Sequence, residues 1–85
     1  VGMSIFLKED GEGFFRVSVR SKKGISANKC AIRYFHGGGH ERASGGRLFF
    51  SRTDGVPADI NAPGEAESYI VRSVAEFFKS GEYES

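Results

Sequence analysis

The sequence predicts a small α+β domain, in which a mixed β-sheet, made of a hairpin and further strands, packs against two helices. Two segments near the N-terminus alternate apolar and polar residues, as half-buried strands do. Two later segments repeat apolar residues every three to four positions, as amphipathic helices do. With 85 residues the chain can form one hydrophobic core, and we expect residues 1–85 to be a single domain.

The predicted hairpin joins two alternating segments, Met3–Lys8 and Phe14–Arg20. Between them, the sequence Asp10-Gly11-Glu12-Gly13 is typical of a turn, because both glycines tolerate positive φ angles. The second strand places Ser18 and Arg20 together on its polar side.

The first predicted helix begins after Ser26, a favourable N-cap residue, and carries its apolar residues on one side up to Phe35. Gly37 is placed to end this helix in the left-handed conformation. A short buried strand is expected at Arg47–Ser51, and the segment 56–61 can supply one more.

The second predicted helix spans Ala66 to Phe78, with Gly81 as its C-cap. We expect the tail, residues 81–85, to fray.

The charge of the chain is concentrated in its middle. From Phe14 to Thr53 there are nine basic residues and one acidic residue, a net charge of +8, whereas the whole chain carries +1. A basic centre favours an anionic ligand, although folding could also mix these charges into a neutral surface. The charge alone leaves both interpretations open.

Several classes of protein are disfavoured. One cysteine, Cys30, cannot form an internal disulfide framework, and no apolar run approaches the roughly 20 residues that span a bilayer. Without a signal pattern at the N-terminus, a cytoplasmic location is expected. Cys30 lies on the apolar side of the first helix without an evident base, so packing is its expected role.

The segment Phe35–Gly46, FHGGGHERASGG, is the candidate site. Consecutive glycines such as Gly37, Gly38 and Gly39 can point several backbone N–H groups at an anion and let a ligand approach the main chain. His40 and Arg42 could add charge-assisted hydrogen bonds, and a helical turn at 41–45 could present its N-terminus. The alternative is a helix cap followed by a flexible linker.

The same segment lacks the patterns of two common nucleotide-binding motifs. It has neither the Lys-Ser/Thr pair of a P-loop nor the spacing of a dinucleotide-binding turn. His36 and His40 are separated by three glycines and have no cysteine or carboxylate cluster beside them, so no metal site is expected.

The combination of Ser18-Val19-Arg20-Ser21, a helix, Gly37-Gly38-Gly39-His40 and then Ala43-Ser44-Gly45 resembles the DHH-associated C-terminal domain of Asp-His-His (DHH) family phosphoesterases. This family includes RecJ-like single-strand exonucleases, nano-RNases that also act as phosphatases on pAp (3′-phosphoadenosine 5′-phosphate), and cyclic-dinucleotide phosphodiesterases. The resemblance is clearest over residues 14–51.

The resemblance implies a substrate-binding lobe, the C-terminal part of a longer enzyme. Arg20 and Ser21 would contact phosphate, the glycines would allow the substrate to approach, and His40 would donate a hydrogen bond to it. The role of Arg42 rests on charge alone, and His36 departs from the small residue expected there.

In the family, an N-terminal DHH domain holds two metal ions, usually Mn²⁺, that activate water. Its motifs are missing from these 85 residues, so this chain alone is expected to be inactive and to bind no cofactor itself. The expected partners are a nucleotide or short oligonucleotide and the DHH domain of the same chain, with no membrane; a homodimer is compatible with the sequence.

A second interpretation is a non-catalytic nucleic-acid binding module that binds tRNA or single-stranded DNA. The resemblance extends to the C-terminal domain of alanyl-tRNA synthetases, which shares the fold and a glycine-rich loop. That loop typically lacks the histidine, so His40 favours the phosphoesterase branch.

Overall fold

The structure is a computed structural model that describes residues 2–10, 13–51, 55 and 57–84. Its elements are β1 (Met3–Glu9), β2 (Phe14–Ser21), α1 (Ala27–Tyr34), β3 (Gly38–His40), β4 (Ala43–Phe49), a 3-10 turn at Pro63–Glu65 and α2 (Ala66–Ser80). The prediction of an α+β domain with a sheet and two helices is confirmed.

The described strands form one sheet in the order β1-β2-β4-β3, and each neighbouring pair is antiparallel, so the sheet is not mixed. The predicted hairpin is present as β1 and β2. In its turn, Gly13 has a φ of 87°, while the prediction for Gly11 lies outside the described residues.

The strand expected at Arg47 begins at Ala43 instead, and β3 precedes it, so the glycine-rich segment forms a second hairpin. Glycine has a low intrinsic preference for strands. Here the ladder with β2, which pairs Arg20 with Ala43 and Phe14 with Phe49, overrides that preference.

The two faces of the sheet differ. Val17 and Val19 are 2% and 0% exposed and belong to the core with both helices, and we call their side the packed face. The opposite side, the open face, is not covered by either helix. The open face carries Ser4, Phe6, Lys8, Phe14, Arg16, Ser18, Arg20, His40, Ala43, Gly45, Arg47 and Phe49.

The helix caps explain where α1 begins and ends. The Ser26 side chain accepts a hydrogen bond from the Lys29 N–H at 3.0 Å, which confirms Ser26 as the N-cap. At the other end, His36 rather than Gly37 adopts the left-handed conformation, with a φ of 55°. Gly81 caps α2 as predicted, with a φ of 79°.

The core lies between the packed face and the two helices. The Tyr69 hydroxyl of α2 donates to the Tyr34 carbonyl oxygen of α1 at 3.0 Å and joins the two helices above it. The buried members are Val17, Val19, Ala27, Cys30, Ala31, Phe35, Leu48, Ile60, Ala66 and Phe77.

Two further predicted features differ from the structure. The described residues 57–61 form no strand; instead, the N–H groups of Asp59 and Ile60 donate to the Phe49 carbonyl oxygen at 2.8 and 3.1 Å. The tail does not fray over 81–84, because the Tyr83 carbonyl oxygen accepts the Ser26 N–H at 2.7 Å and Glu84 forms a bridge with Ile25. Ser85 lies outside the described residues.

Candidate phosphate-binding site

The glycines around the β3–β4 hairpin first serve close packing of the main chain. A Cβ on Gly37 would lie 1.8 Å from the Gly45 carbonyl oxygen, and a Cβ on Gly46 would lie 2.3 Å from the Phe35 carbonyl oxygen. Real Cβ atoms do not approach a carbonyl this closely. Only glycine fits where the end of α1 crosses β4.

The expected concavity of free N–H groups is not what this hairpin provides. The Gly37 N–H donates to the Ala31 carbonyl oxygen at 3.1 Å, and the Gly39 N–H donates to the Asn28 side-chain oxygen at 2.9 Å. These two donors are used inside the protein. An anion beside this hairpin would therefore depend mainly on side chains.

The tip of the hairpin is fixed to the start of α1. The Glu41 carbonyl oxygen accepts the Ala27 N–H at 2.7 Å, and its carboxylate accepts a hydrogen bond from the Ser26 hydroxyl. The Ser21 N–H donates to the Arg42 carbonyl oxygen at 3.1 Å. Glu41 and Arg42 thus form a strand-to-strand turn, and no helical turn occupies 41–45.

Arg20 and His40 lie in one row across the open face. In the ladder Arg20 is opposite Ala43, and Ala43 is opposite His40. With strands about 4.8 Å apart, the two backbones are about 10 Å apart. Both residues are exposed, and in the described part of the chain no acidic side chain pairs with either. A phosphate group above Ala43 could contact the guanidinium and the imidazole together.

Ser21 and Arg42 are placed differently from this row. Ser21 follows Arg20 and points to the other side of the sheet, where its hydroxyl donates to the Ile25 carbonyl oxygen at 2.7 Å. Arg42 is exposed in the turn next to His40. Contacts of Ser21 or Arg42 with phosphate remain predictions.

A family model for the DHHA1 domain matches residues 1–52. The chain belongs to the DHHA1 family. The matched part includes all four strands and α1, and hence every residue predicted for the site. α2 lies beyond it.

A solved structure also resembles this DHHA1 domain. The crystal structure of an exopolyphosphatase-related protein from Bacteroides fragilis matches with a TM-score of 0.66 and 31% identity. The match covers 91% of this chain and 19% of the other, so the domain spans about a fifth of that relative's length. No curated protein matches the chain.

The two histidines of this DHHA1 domain have different surroundings. His36 Nε2 lies 2.9 Å from the Asp59 Oδ1 atom, and its ring packs edge-on against Phe49 with centroids 5.6 Å apart. Asp59 also accepts the Phe49 N–H at 2.9 Å. His36 therefore joins the end of α1 to the segment after β4, whereas His40 faces solvent on the open face.

The single cysteine of the domain, Cys30, is buried. Burial raises the pKa of the Cys30 thiol to about 11, so it stays protonated near neutral pH, which suits packing rather than nucleophilic chemistry. Among the described residues, no three His, Cys, Asp or Glu side chains come together as metal ligands. Neither described helix combines the length and apolar character needed to cross a bilayer.

Sequence reasoning missed several residues that shape the site. Asn28 holds β3 through Gly39, and Glu41 fixes the hairpin tip. Lys8 and Arg47 were not singled out, although both lie on the open face with Arg20. Extending the strand from Arg47 back to Ala43 would have placed Arg47 there, because residues two apart share a face.

Proposed function

We propose that this domain is the substrate-binding part of a DHH phosphoesterase, and that it binds a phosphate of a nucleotide or short oligonucleotide through Arg20 and His40. The observation that carries the proposal is the ladder register, which puts both cation-forming side chains in one row of the open face. Only the small side chain of Ala43 stands between them.

The chemistry of the two side chains suits this role. The Arg20 guanidinium has a planar fork of N–H donors that matches two phosphate oxygens, and its charge is permanent. His40 can donate one hydrogen bond when neutral and gains charge when protonated. The fixed turn at Glu41 and Arg42 holds the His40 backbone in register with Arg20.

The rest of the enzyme would come from a second domain. DHHA1 domains usually accompany an N-terminal DHH domain in the same chain. The Mn²⁺ ions are expected in that second domain. Among the residues described here, no three His, Cys, Asp or Glu side chains come together as metal ligands. The exopolyphosphatase-related relative is compatible with a substrate that carries phosphate.

The test is hydrolysis by the protein that carries this domain together with its DHH domain. With Mn²⁺ present, kcat/KM is measured for pAp and for a diribonucleotide. Loss of one charge-assisted contact costs about 1.5–3 kcal/mol, so His40→Ala and Arg20→Ala should each lower kcat/KM by about 10–160-fold.

The matched control is His36→Ala, which removes the histidine paired with Asp59. It should lower stability and leave kcat/KM nearly unchanged. If His40→Ala behaves like His36→Ala, the proposal is wrong. Tight, salt-dependent binding of long RNA by the 85-residue chain alone, without an effect of His40→Ala, would instead favour the non-catalytic module.

A further inference from the structure

A second basic row crosses the open face. Lys8 lies opposite Arg16 in the ladder of β1 and β2, and Arg16 lies opposite Arg47 in the ladder of β2 and β4. Like charges directly opposite each other on neighbouring strands are destabilising. Three in one row conflict with the stability of the sheet, and such conflicts are expected at functional sites.

Local contacts compensate only part of this charge. Arg16 Nε donates to the Asp10 carboxylate at 2.8 Å, and the Arg47 guanidinium lies 5.0 Å from the centre of the Phe14 ring. No acidic side chain among the described residues pairs with Lys8 or Arg47. The outer two members of the row therefore supply the charge available to a ligand.

The two rows are separated by an uncharged one. Arg16 and Arg20 are four residues apart on β2, which corresponds to about 13 Å at roughly 3.3 Å per residue. The intervening row runs from Phe6 through Ser18 to Gly45. At this spacing the two rows offer separate positions for two phosphate groups.

We propose that Lys8 and Arg47 form a second phosphate-binding row, which lets this face hold a single-stranded oligonucleotide that also contacts Arg20 and His40. This inference rests on the proposed function and deepens it, because it selects a chain of nucleotides over a mononucleotide such as pAp.

The pattern of the face favours a nucleotide chain over polyphosphate. Polyphosphate is charged at every unit, whereas the middle row offers it no cation. A nucleotide chain separates its phosphates by sugars and bases. Phe6, 59% exposed at the end of the middle row, presents an aromatic ring on which a base can stack.

The test uses the 85-residue chain and two probes, a fluorescent hexathymidylate followed by anisotropy and pAp followed by calorimetry. The variant Lys8→Gln/Arg47→Gln removes the second row. The control Arg72→Gln/Lys79→Gln removes the same two charges from exposed positions on α2. Lys8→Gln alone is the second variant, since Arg47 also contacts Phe14 and its loss could impair folding.

The double variant should weaken hexathymidylate binding about 10-fold and reduce the slope of log K against log salt by about 1.4, since each phosphate contact on a single strand contributes about 0.7. Binding of pAp should change less than twofold. The control pair of substitutions should change the affinity for neither ligand by more than twofold. Lys8→Gln alone should reduce the slope by about 0.7.

Three results would overturn the second row. They are a failure of the unmodified chain to bind hexathymidylate, a weakening of that binding in the double variant no larger than in the control pair, and an equal weakening of pAp binding in the double variant. Linear polyphosphate that competes as well as an oligonucleotide of equal charge would overturn the choice of ligand. The proposed function is judged separately through Arg20→Ala, because pAp binding unaffected by that change would reject the first row alone.

Discussion

The packed face and the open face of the same strands differ in the pairing of their cations and in the size of their side chains. On the packed side, Phe35 and Phe77 are fully buried, and the cation Arg33 at the edge of α1 pairs with Glu76 and Glu82. On the open face, Lys8, Arg20 and Arg47 have no acidic partner among the described residues, and the middle row is made of small side chains apart from Phe6. One face supplies stability, and the other is available for binding.

The glycine-rich motif belongs to both faces. Gly37 and Gly46 allow α1 to pack closely on β4, while His40 in the same hairpin lies on the open face. The motif therefore couples packing on one side of the sheet to the position of His40, the proposed phosphate contact, on the other. Its glycines are needed even if no ligand approaches them.

The largest predicted effect on stability comes from Gly46→Ala, compared with the same substitution at the neighbouring Gly45. In Gly46→Ala the new Cβ would lie 2.3 Å from the Phe35 carbonyl oxygen and 2.7 Å from its Cβ, so α1 must shift. We expect the free energy of unfolding to fall by at least about 3 kcal/mol, at the upper end of overpacking effects. Urea unfolding followed by circular dichroism measures this.

Gly45→Ala is the matched control on the open face. Its Cβ would have one neighbour within 4 Å, the Val17 carbonyl oxygen at 3.4 Å, so the loss should stay below about 1 kcal/mol. Equal losses for the two alanine variants would show that the faces are assigned wrongly.

A second, smaller effect concerns the thiol on the packed side. Burial raises the pKa of Cys30 from its ordinary 9.0 to about 11. Below pH 9 the thiol is protonated in both the folded and the unfolded chain, so its full contribution to the free energy of unfolding is present. Between pH 9 and about 11 it ionises only in the unfolded chain, so stability should fall by roughly 1.4 kcal/mol per pH unit, about 2–3 kcal/mol in all.

The measurement is urea unfolding under reducing conditions at several pH values from 8 to 11. Tyr34 and Tyr69 also have raised pKa values, mainly because of burial. Their ionisation therefore also lowers the free energy of unfolding as the pH rises. The comparison is therefore between the unmodified chain and Cys30→Ala, which is less stable at pH 8 but lacks the thiol's share of the slope. Parallel pH curves for the two proteins would contradict a buried, protonated thiol.

The sequence predicted the elements whose pattern is local. Alternation identified β1 and β2, and three-to-four spacing identified both helices, because these periods reflect one buried side of each element. The β3–β4 hairpin was missed, since glycines carry no alternation and its strands are defined by pairing with β2. Without that pairing, Arg47 could not be assigned to the open face.

The candidate site was predictable in part for the same reason. Arg20 followed from strand alternation and His40 from the motif, but their shared row depends on a register between residues 20 positions apart. The contact of Glu41 with Ser26 is likewise non-local. Two N–H groups of the expected nest, those of Gly37 and Gly39, are instead used by Ala31 and Asn28, which lie in the helix and not in the motif.

The smallest predicted effect compares one serine from each side of the sheet. Ser26 is fully buried, and its hydroxyl accepts the Lys29 N–H at 3.0 Å and donates to the Glu41 carboxylate. Ser26→Ala should cost about 1–2 kcal/mol in thermal or urea unfolding, because the cap of α1 and the anchor of the hairpin tip are lost together.

Ser18→Ala on the open face is the control. Ser18 is exposed in the middle row, so the change should stay within about 0.5 kcal/mol. Because the Ser26 hydroxyl anchors the turn next to His40, Ser26→Ala should also broaden or shift the NMR signals of His40, which Ser18→Ala should affect less. If only the stability of α1 changes and the His40 signals stay fixed, the carbonyl contacts of the turn suffice to position His40. The carboxylate of Glu41 would then stabilise the fold without influencing the open face.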